Sequence, residues 1–405
     1  MQLPPLGLYI HLPWCERKCP YCDFNSHEAR QLPEVDYVDA LLTDLEGDLH
    51  LAGGRAVRSL FIGGGTPSLF GADTIGRLIT GIRARLELAA EAEITLEANP
   101  GSAEAEKFQG FRTAGVNRLS LGIQSFDDSS LQALGRIHDG TRAGAAIGMA
   151  RRAGFDSLNL DLMHGLPGQT TAMALSDLQE ALACEPTHLS WYQLTVEPNT
   201  VFYKRPPVLP ADDSLAAMQD EGEHLLASAG YRQYEVSAYS RPGFECRHNL
   251  NYWSFGDYLA IGAGAHGKIT DQQGHIVRYH KTRRPEDYLA AGAGAFTAGS
   301  RNLAREDVIG EFMLNALRLN NGFSTGLFEN RTGLDAGALQ PQLRQLCDRG
   351  LLEQDNDGIR ATSLGRRFLD SVIAEFFACW QVGRAACMRP GSRGQSRLKI
   401  RSQTP

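Results

Sequence analysis

Through the first half of this chain, short apolar runs alternate with longer stretches whose apolar positions recur every three or four residues. The runs read as buried strands and the stretches as amphipathic helices. Strands are predicted at 6–11, 58–62, 93–98, 118–123, 157–161 and 188–194. Helices are predicted at 34–51, from beyond 68 to about 88, and at 103–114, 129–134, 141–153 and 171–184. Six strand–helix steps with short links mean parallel strands and right-handed crossovers. Six units instead of eight predict an α/β fold, a partial, splayed (β/α)6 TIM-like barrel with its chemistry at the C-terminal strand ends. The residues that break the apolar runs there are His11, Gly63, Glu97, Gln124, Asp161 and Thr195. Each alone is an ordinary loop residue, but six in phase predict one polar mouth.

Beyond Thr195 the pattern changes. A helix is predicted at 212–229 and an alternating strand at 233–239. From about Arg305 the order is helix (306–319), helix (336–349), then a hairpin (351–354 and 359–362) around Asp355-Asn-Asp-Gly358. The expected division is a barrel over 1–200, an extension over 201–304, a small α+β winged-helix-like domain over 305–377 and a tail over 378–405. Cys379 to Pro405 holds six basic residues and no acidic one, and reads as disordered. A dispensable extension is its plainer reading; a nucleic-acid or peripheral membrane tether is the other.

Composition narrows the class. Hydrophobic content of 42% and charged content of 21% over 405 residues allow an ordinary core. A net charge of −7 argues against a non-specific nucleic-acid binder; no specific nucleic acid is expected as a partner, and the winged-helix-like part reads as a packing or lid domain. No apolar run is long enough to span a membrane, and no signal peptide is read at Met1-Gln-Leu-Pro-Pro5. Of eight cysteines only Cys15, Cys19 and Cys22 cluster, which is no disulfide framework and fits a reducing cytoplasm.

Those three cysteines carry the chemistry. They stand at C-x3-C-x2-C in His11-Leu-Pro-Trp-Cys15-Glu-Arg-Lys-Cys19-Pro-Tyr-Cys22-Asp-Phe24, directly after the first strand. Thiolates suit iron–sulfur clusters and zinc. A structural zinc site needs a fourth protein ligand, such as His11. A cubane on three thiolates leaves one iron open. The run Gly63-Gly64-Gly65-Thr66-Pro67 also follows a strand, where glycines admit close backbone approach to a ligand; a tight turn is the alternative.

The spacing, with Tyr21 before the third cysteine, resembles the radical SAM enzymes. The resemblance implies a [4Fe-4S] cluster whose open iron takes S-adenosylmethionine. Further stretches are Tyr9-Ile-His-Leu-Pro-Trp-Cys15, Gly-Gly-Gly-Thr-Pro-Ser68, Leu96-Glu-Ala-Asn-Pro100, Leu121-Gly-Ile-Gln-Ser-Phe126, Leu134-Gly-Arg136, Asn159-Leu-Asp-Leu-Met163 and Gly165-Leu-Pro-Gly-Gln169. Together they resemble the oxygen-independent coproporphyrinogen III oxidase family, over roughly residues 6–377. Carried onto matching positions, the resemblance makes Cys15, Cys19 and Cys22 the cluster ligands. It makes Tyr9, Tyr21, Gly65, Thr66, Glu97, Gln124, Arg136 and Asp161 the cofactor contacts. Two departures matter: the oxidases have a further cysteine where this chain has Phe24, and an extension before the first strand. Cys22-Asp-Phe-Asn-Ser-His27 and His248-Asn-Leu-Asn-Tyr-Trp253 resemble instead a branch of the family regarded as haem chaperones. That branch implies haem as ligand, an acceptor protein as partner, and His248 as the haem contact, with Cys246 and His266 as competitors. The rival expectations are the oxidase reaction itself and a nucleic-acid-modifying radical enzyme.

Overall fold

Strand β1 (Leu6–Leu12) is buried along its whole length, as a central parallel strand must be. Leu6, Leu8, Ile10 and Leu12 join the main apolar core on one side. Gly7, Tyr9 and His11 alternate to the other. The computed structural model of the protein describes residues 3–101, 106–292, 294–356 and 358–377. The basic tail and the first residues of the helix expected at 103–114 lie outside them.

β1 is followed by β2 (Val57–Gly64), β3 (Leu88–Ala98), β4 (Arg118–Gln124), β5 (Ser157–His164) and β6 (His188–Gln193), paired in parallel and in chain order. Helices α1 (Glu34–Asp48), α2 (Ala72–Arg83), α3 (Phe108–Ala114), α4 (Gly140–Arg152) and α5 (Thr171–Ala183) fill the crossovers. Their stripes of Leu41, Leu45, Leu78, Ile82, Phe111, Ile147 and Leu178 pack on the outward strand residues. Val35, apolar and at the first turn of α1, is an exception: it is 61% exposed.

The sheet extends beyond the expected six strands. A short helix α6 (Arg247–Trp253) leads into β9 (Asp257–Ile261), which adds in parallel to the free side of β1. β10 (His266–Thr270), β11 (Ile276–Lys281) and β12 (Thr297–Asn302) then continue antiparallel. At the other edge, residues 233–239 are not one strand but the hairpin β7 (Arg232–Glu235) and β8 (Ala238–Ser240). No Gly or Asn marks that turn; the Glu235 carboxylate takes its place by accepting from the Ser237 N–H and hydroxyl at 3.2 and 3.3 Å. The result is an open twelve-stranded sheet, ordered β12-β11-β10-β9-β1-β2-β3-β4-β5-β6-β8-β7.

A second apolar core gathers Phe312, Phe323, Phe328, Leu343, Leu346, Ile359 and Val372, and reaches back to Phe255 and Ile276. The helix expected at 336–349 is divided: Ala336–Leu339 is a 3-10 turn and Gln342–Asp348 a helix. Pro341 has no N–H to give the ladder, and Gln340 before it is extended. The helix Thr325–Thr332 was not expected; its sequence carries no strong apolar period. Among the described residues, no helix is long and apolar enough to cross a membrane.

Candidate functional site

The cysteine loop springs from the C-terminal end of β1. Trp14 and Cys15 pair in parallel with His27 and Glu28, which closes residues 15–28 into a lobe. Lys18 ties it from within, its ammonium donating to the carbonyls of Phe24 and Ser26 at 3.0 and 3.1 Å. Cys15 is buried, Cys19 and Cys22 half-buried, and all three are free thiols. Burial pushes the Cys15 thiol up to about 11. Among the described residues, no three potential ligands already stand close enough to hold a metal ion. The donor set nonetheless fits a cluster of three thiolates. His11 is not a spare ligand: its Nδ1 faces the Tyr9 hydroxyl at 2.8 Å and its Nε2 the Asn25 carbonyl at 2.9 Å.

The glycine run is the seat of this loop. The N–H groups of Gly65 and Thr66 donate to the carbonyls of Leu12 and Trp14 at 2.8 and 2.7 Å. The Gly64 N–H donates to Glu97 Oε2 at 3.1 Å. A Cβ on Gly65 would lie 2.4 Å from the Trp14 carbonyl oxygen, and Gly64 has φ of +126°. With these donors engaged, what the stretch offers a ligand is carbonyl oxygen, which suits an ammonium group.

Two predicted residues, Arg136 and Tyr21, meet beside Cys19. Arg136 donates from Nη1 to Cys19 Sγ at 3.6 Å, and from Nη2 to Asn99 Oδ1 at 2.6 Å and the Gly122 carbonyl at 2.8 Å. Asn99 in turn donates to Thr66 Oγ1 at 2.9 Å, so it joins the glycine run to the arginine. Tyr21 packs on Phe202, and Gln124, at φ +70°, accepts from the Tyr192 hydroxyl at 2.8 Å.

Glu97 and Asp161 line the concave face of the sheet. Burial, then the charge of Asp161, raises the Glu97 carboxyl to about 8. Burial raises Asp161 too, against bonds from Ser120 Oγ at 3.0 Å and Asn159 Nδ2 at 2.8 Å. Asp161 is not at a strand end as expected. β5 runs on to His164, so Asp161 lies inside the sheet, opposite Ser190. Thr195 falls beyond β6 and is exposed.

His248 stands apart from the cysteine loop. Helix α6 closes the concave face near the N-terminal ends of the strands. Its first N–H groups, from Arg247 and His248, donate to Glu93 at 3.2 and 3.1 Å. His248 is 1% exposed, with Nδ1 against Ser59 Oγ at 3.1 Å and no partner for Nε2. Its ring lies 5.2 Å from Phe61 and 6.5 Å from Tyr9. Tyr252 and Trp253 are buried. Cys246 donates to Glu93 at 3.5 Å, and burial pushes its thiol up to about 12. Sequence reasoning did not single out Asn99, Asn25, Glu93 or Tyr192. Asn99 stood within a motif it quoted, but without a partner to suggest its role.

A curved parallel sheet with three thiols on the loop after its first strand defines a radical SAM protein. The Radical SAM superfamily model matches residues 9–181, and the HemN C-terminal domain model matches residues 303–368. The chain is similar in fold to coproporphyrinogen III oxidase (HemN) from Escherichia coli, with a TM-score of 0.79, 26% identity, and coverage of 93% of this chain and 91% of that one. It is 50% identical to "Heme chaperone HemW" of Escherichia coli (strain K12), over 93% of this chain and 100% of that protein. The HemW of Haemophilus influenzae is 48% identical over 93% of this chain and 98% of its own length. The chain belongs to the HemW family, within the HemN-like radical SAM proteins.

Proposed function

We propose that this chain is a haem chaperone of the radical SAM type, which binds haem and passes it to an acceptor protein in the cytoplasm. The observation that carries the reading is the 50% identity, along the whole length, to a protein named as a haem chaperone. One residue of the site agrees. Phe24, where the oxidase resemblance calls for another cysteine, is a 53% exposed apolar side chain beside Cys22.

Cys15, Cys19 and Cys22 would hold a [4Fe-4S] cluster, whose chemistry is one-electron transfer and chelation of a small molecule at the open iron. S-adenosylmethionine is the proposed molecule. Arg136 suits its carboxylate. Carbonyls of the glycine run suit its ammonium group, with Gly65 and Thr66 fixing the run. Glu97 and Asp161 suit its ribose hydroxyls; Tyr9, Tyr21 and Gln124 complete the walls. His248, the haem contact that the resemblance implies, is 1% exposed beneath α6, so its Nε2 is closed off from a ligand the size of haem. The test is anaerobic reconstitution followed by haem titration: a Soret band saturating at one haem per chain is expected, and its absence would sink the reading.

The second reading is oxidative decarboxylation of coproporphyrinogen III. The 0.79 TM-score to HemN favours it, since the two folds differ little. Incubation with coproporphyrinogen, reductant and S-adenosylmethionine separates the two. Stoichiometric formation of protoporphyrinogen would replace the chaperone reading.

A further inference from the structure

The concave face carries a second pair of imidazoles. The parity of the sheet sets them there. Tyr9 lies on that face, as do its neighbours across β9, Tyr258 and Ala260. Tyr258 stands opposite Lys268, and His266 is two residues before Lys268 on β10, so it shares the face. His266 is paired with His280 on β11, and His280 with Gly299 on β12. Both histidines are exposed, on a face where Tyr9, Tyr258 and Lys268 are buried. Their rings stack at 5.5 Å between centroids, 26° apart.

This pair sits against the cysteine lobe. Asn25 Nδ2 donates to the carbonyls of Ala263 and Arg283, both at 2.9 Å, which bolts the lobe to the turn before β10 and the segment after β11. His266 lies near enough to His11 to disfavour its protonation. Gly299 lies directly across from His280. A Cβ on Gly299 would lie 2.5 Å from the His280 ring, so only glycine leaves that ring its place. Partial desolvation by the stacked ring and the strands, then His280, Arg278 and Arg283, lowers the His266 pKa below the usual imidazole value. An imidazole open to solvent and a cation beside it, the Arg283 guanidinium with Nε held 3.4 Å from Asn25 Oδ1, are what the iron and a propionate of haem each require.

The geometry points to His266 and His280, not the buried His248, as the imidazoles that receive haem iron, beside the cluster lobe. The inference rests on the haem reading above and gives that reading a location. One ring supplies the axial nitrogen. Its neighbour stands ready to exchange with it, so haem is held without burial and remains open to an acceptor. No redox step is involved.

The experiment is a haemin titration of the full chain, followed in the Soret region, for wild type, His266→Gly, His280→Gly, the double variant and His248→Ala. The expected result is a histidine-ligated spectrum for wild type, which the double variant loses while its affinity falls about tenfold or more. Free imidazole should restore the spectrum to the double variant, which a purely structural role would not allow. His248→Ala should keep it; unchanged melting of each variant controls for folding. A wild-type spectrum in the double variant overturns the site. So does zinc binding that depends on the pair while haem binding does not. If wild type takes up no haem at all, the chaperone reading itself falls, and the site falls with it.

Discussion

Arg136 reaches across from the segment after β4 and sets its guanidinium 3.6 Å from Cys19 Sγ. This places a permanent positive charge against a sulfur proposed as a cluster ligand, with Nη2 shared between Asn99 and Gly122. A bond to a charged group contributes about 1.5–3 kcal/mol, so Arg136→Leu should weaken S-adenosylmethionine binding about tenfold to a hundredfold. Iron content should hold, since no ligand is lost. Arg136→Lys should fall between, because a point charge cannot make the fork. Iron analysis together with the electron paramagnetic resonance change on adding S-adenosylmethionine tests this. A Leu variant that responds like wild type removes Arg136 from the site.

Gly65 shows how closely the lobe depends on the glycine run. Adding a Cβ 2.4 Å from the Trp14 carbonyl forces the loop off its seat. Gly65→Ala should cost about 1–3 kcal/mol and reduce the iron retained on reconstitution. Gly47 lies in α1 with nothing within 4 Å of such a Cβ. Gly47→Ala should therefore be neutral or stabilise by about 0.5–1 kcal/mol. Thermal melting of the two variants side by side gives the comparison; equal effects would contradict it.

The strands and their order were legible because periodicity reports burial. In 118–123, Leu119, Leu121 and Ile123 alternate with Arg118, Ser120 and Gly122, the period of a strand, and the structure covers both faces. The mouth was legible where a residue closes a strand, as Gln124 does, and misread at Asp161 and Thr195, where strand length decides the depth. The sheet extension was not legible. Lys268 and Lys281 look like surface polar residues in sequence, yet both are buried, Lys268 against Asp257 of the neighbouring strand and Lys281 against Asp44 and Asp48 of α1. The links Asn99–Arg136 and Asn25–Ala263 were hidden for the same reason: a hydrogen bond across 37 or 238 positions leaves no local pattern.

Glu97 predicts a pH effect. Its carboxyl is raised from 4.5 to about 8, first by burial and then by Asp161. Between those values the unfolded chain has released a proton that the folded chain keeps, so this group makes stability fall as pH rises through the window. Below 4.5 it contributes nothing, and above 8 the loss is complete. Glu97→Gln keeps an acceptor for the Gly64 N–H without the charge. Its melting temperature should match wild type near pH 5 and exceed it progressively toward pH 8. A difference that stays flat over that range would contradict the assignment.

Lys281 anchors the extension to the barrel. It is 1% exposed and donates to Asp44 at 2.6 Å, Asp48 at 2.7 Å and Thr297 Oγ1 at 3.1 Å. Asp44 also accepts from Tyr288 at 2.6 Å and from the Gly262 N–H at 3.3 Å, so α1, the turn after β9 and the last strands meet on one carboxylate. Removing the cation leaves two acids facing each other without it in low dielectric, and Lys281→Met should cost about 3–5 kcal/mol. Neutralising the acid as well, in Lys281→Met with Asp44→Asn, should recover part of that loss, because the amide needs no counter-charge. The two largest apolar cores among the described residues are separate, so melting is followed together with proteolysis of the 257–302 region in place of a single unfolding free energy. If the double variant is less stable than Lys281→Met, the pair is not coupled through charge, and Asp44 acts through its bonds to Tyr288 and Gly262 instead.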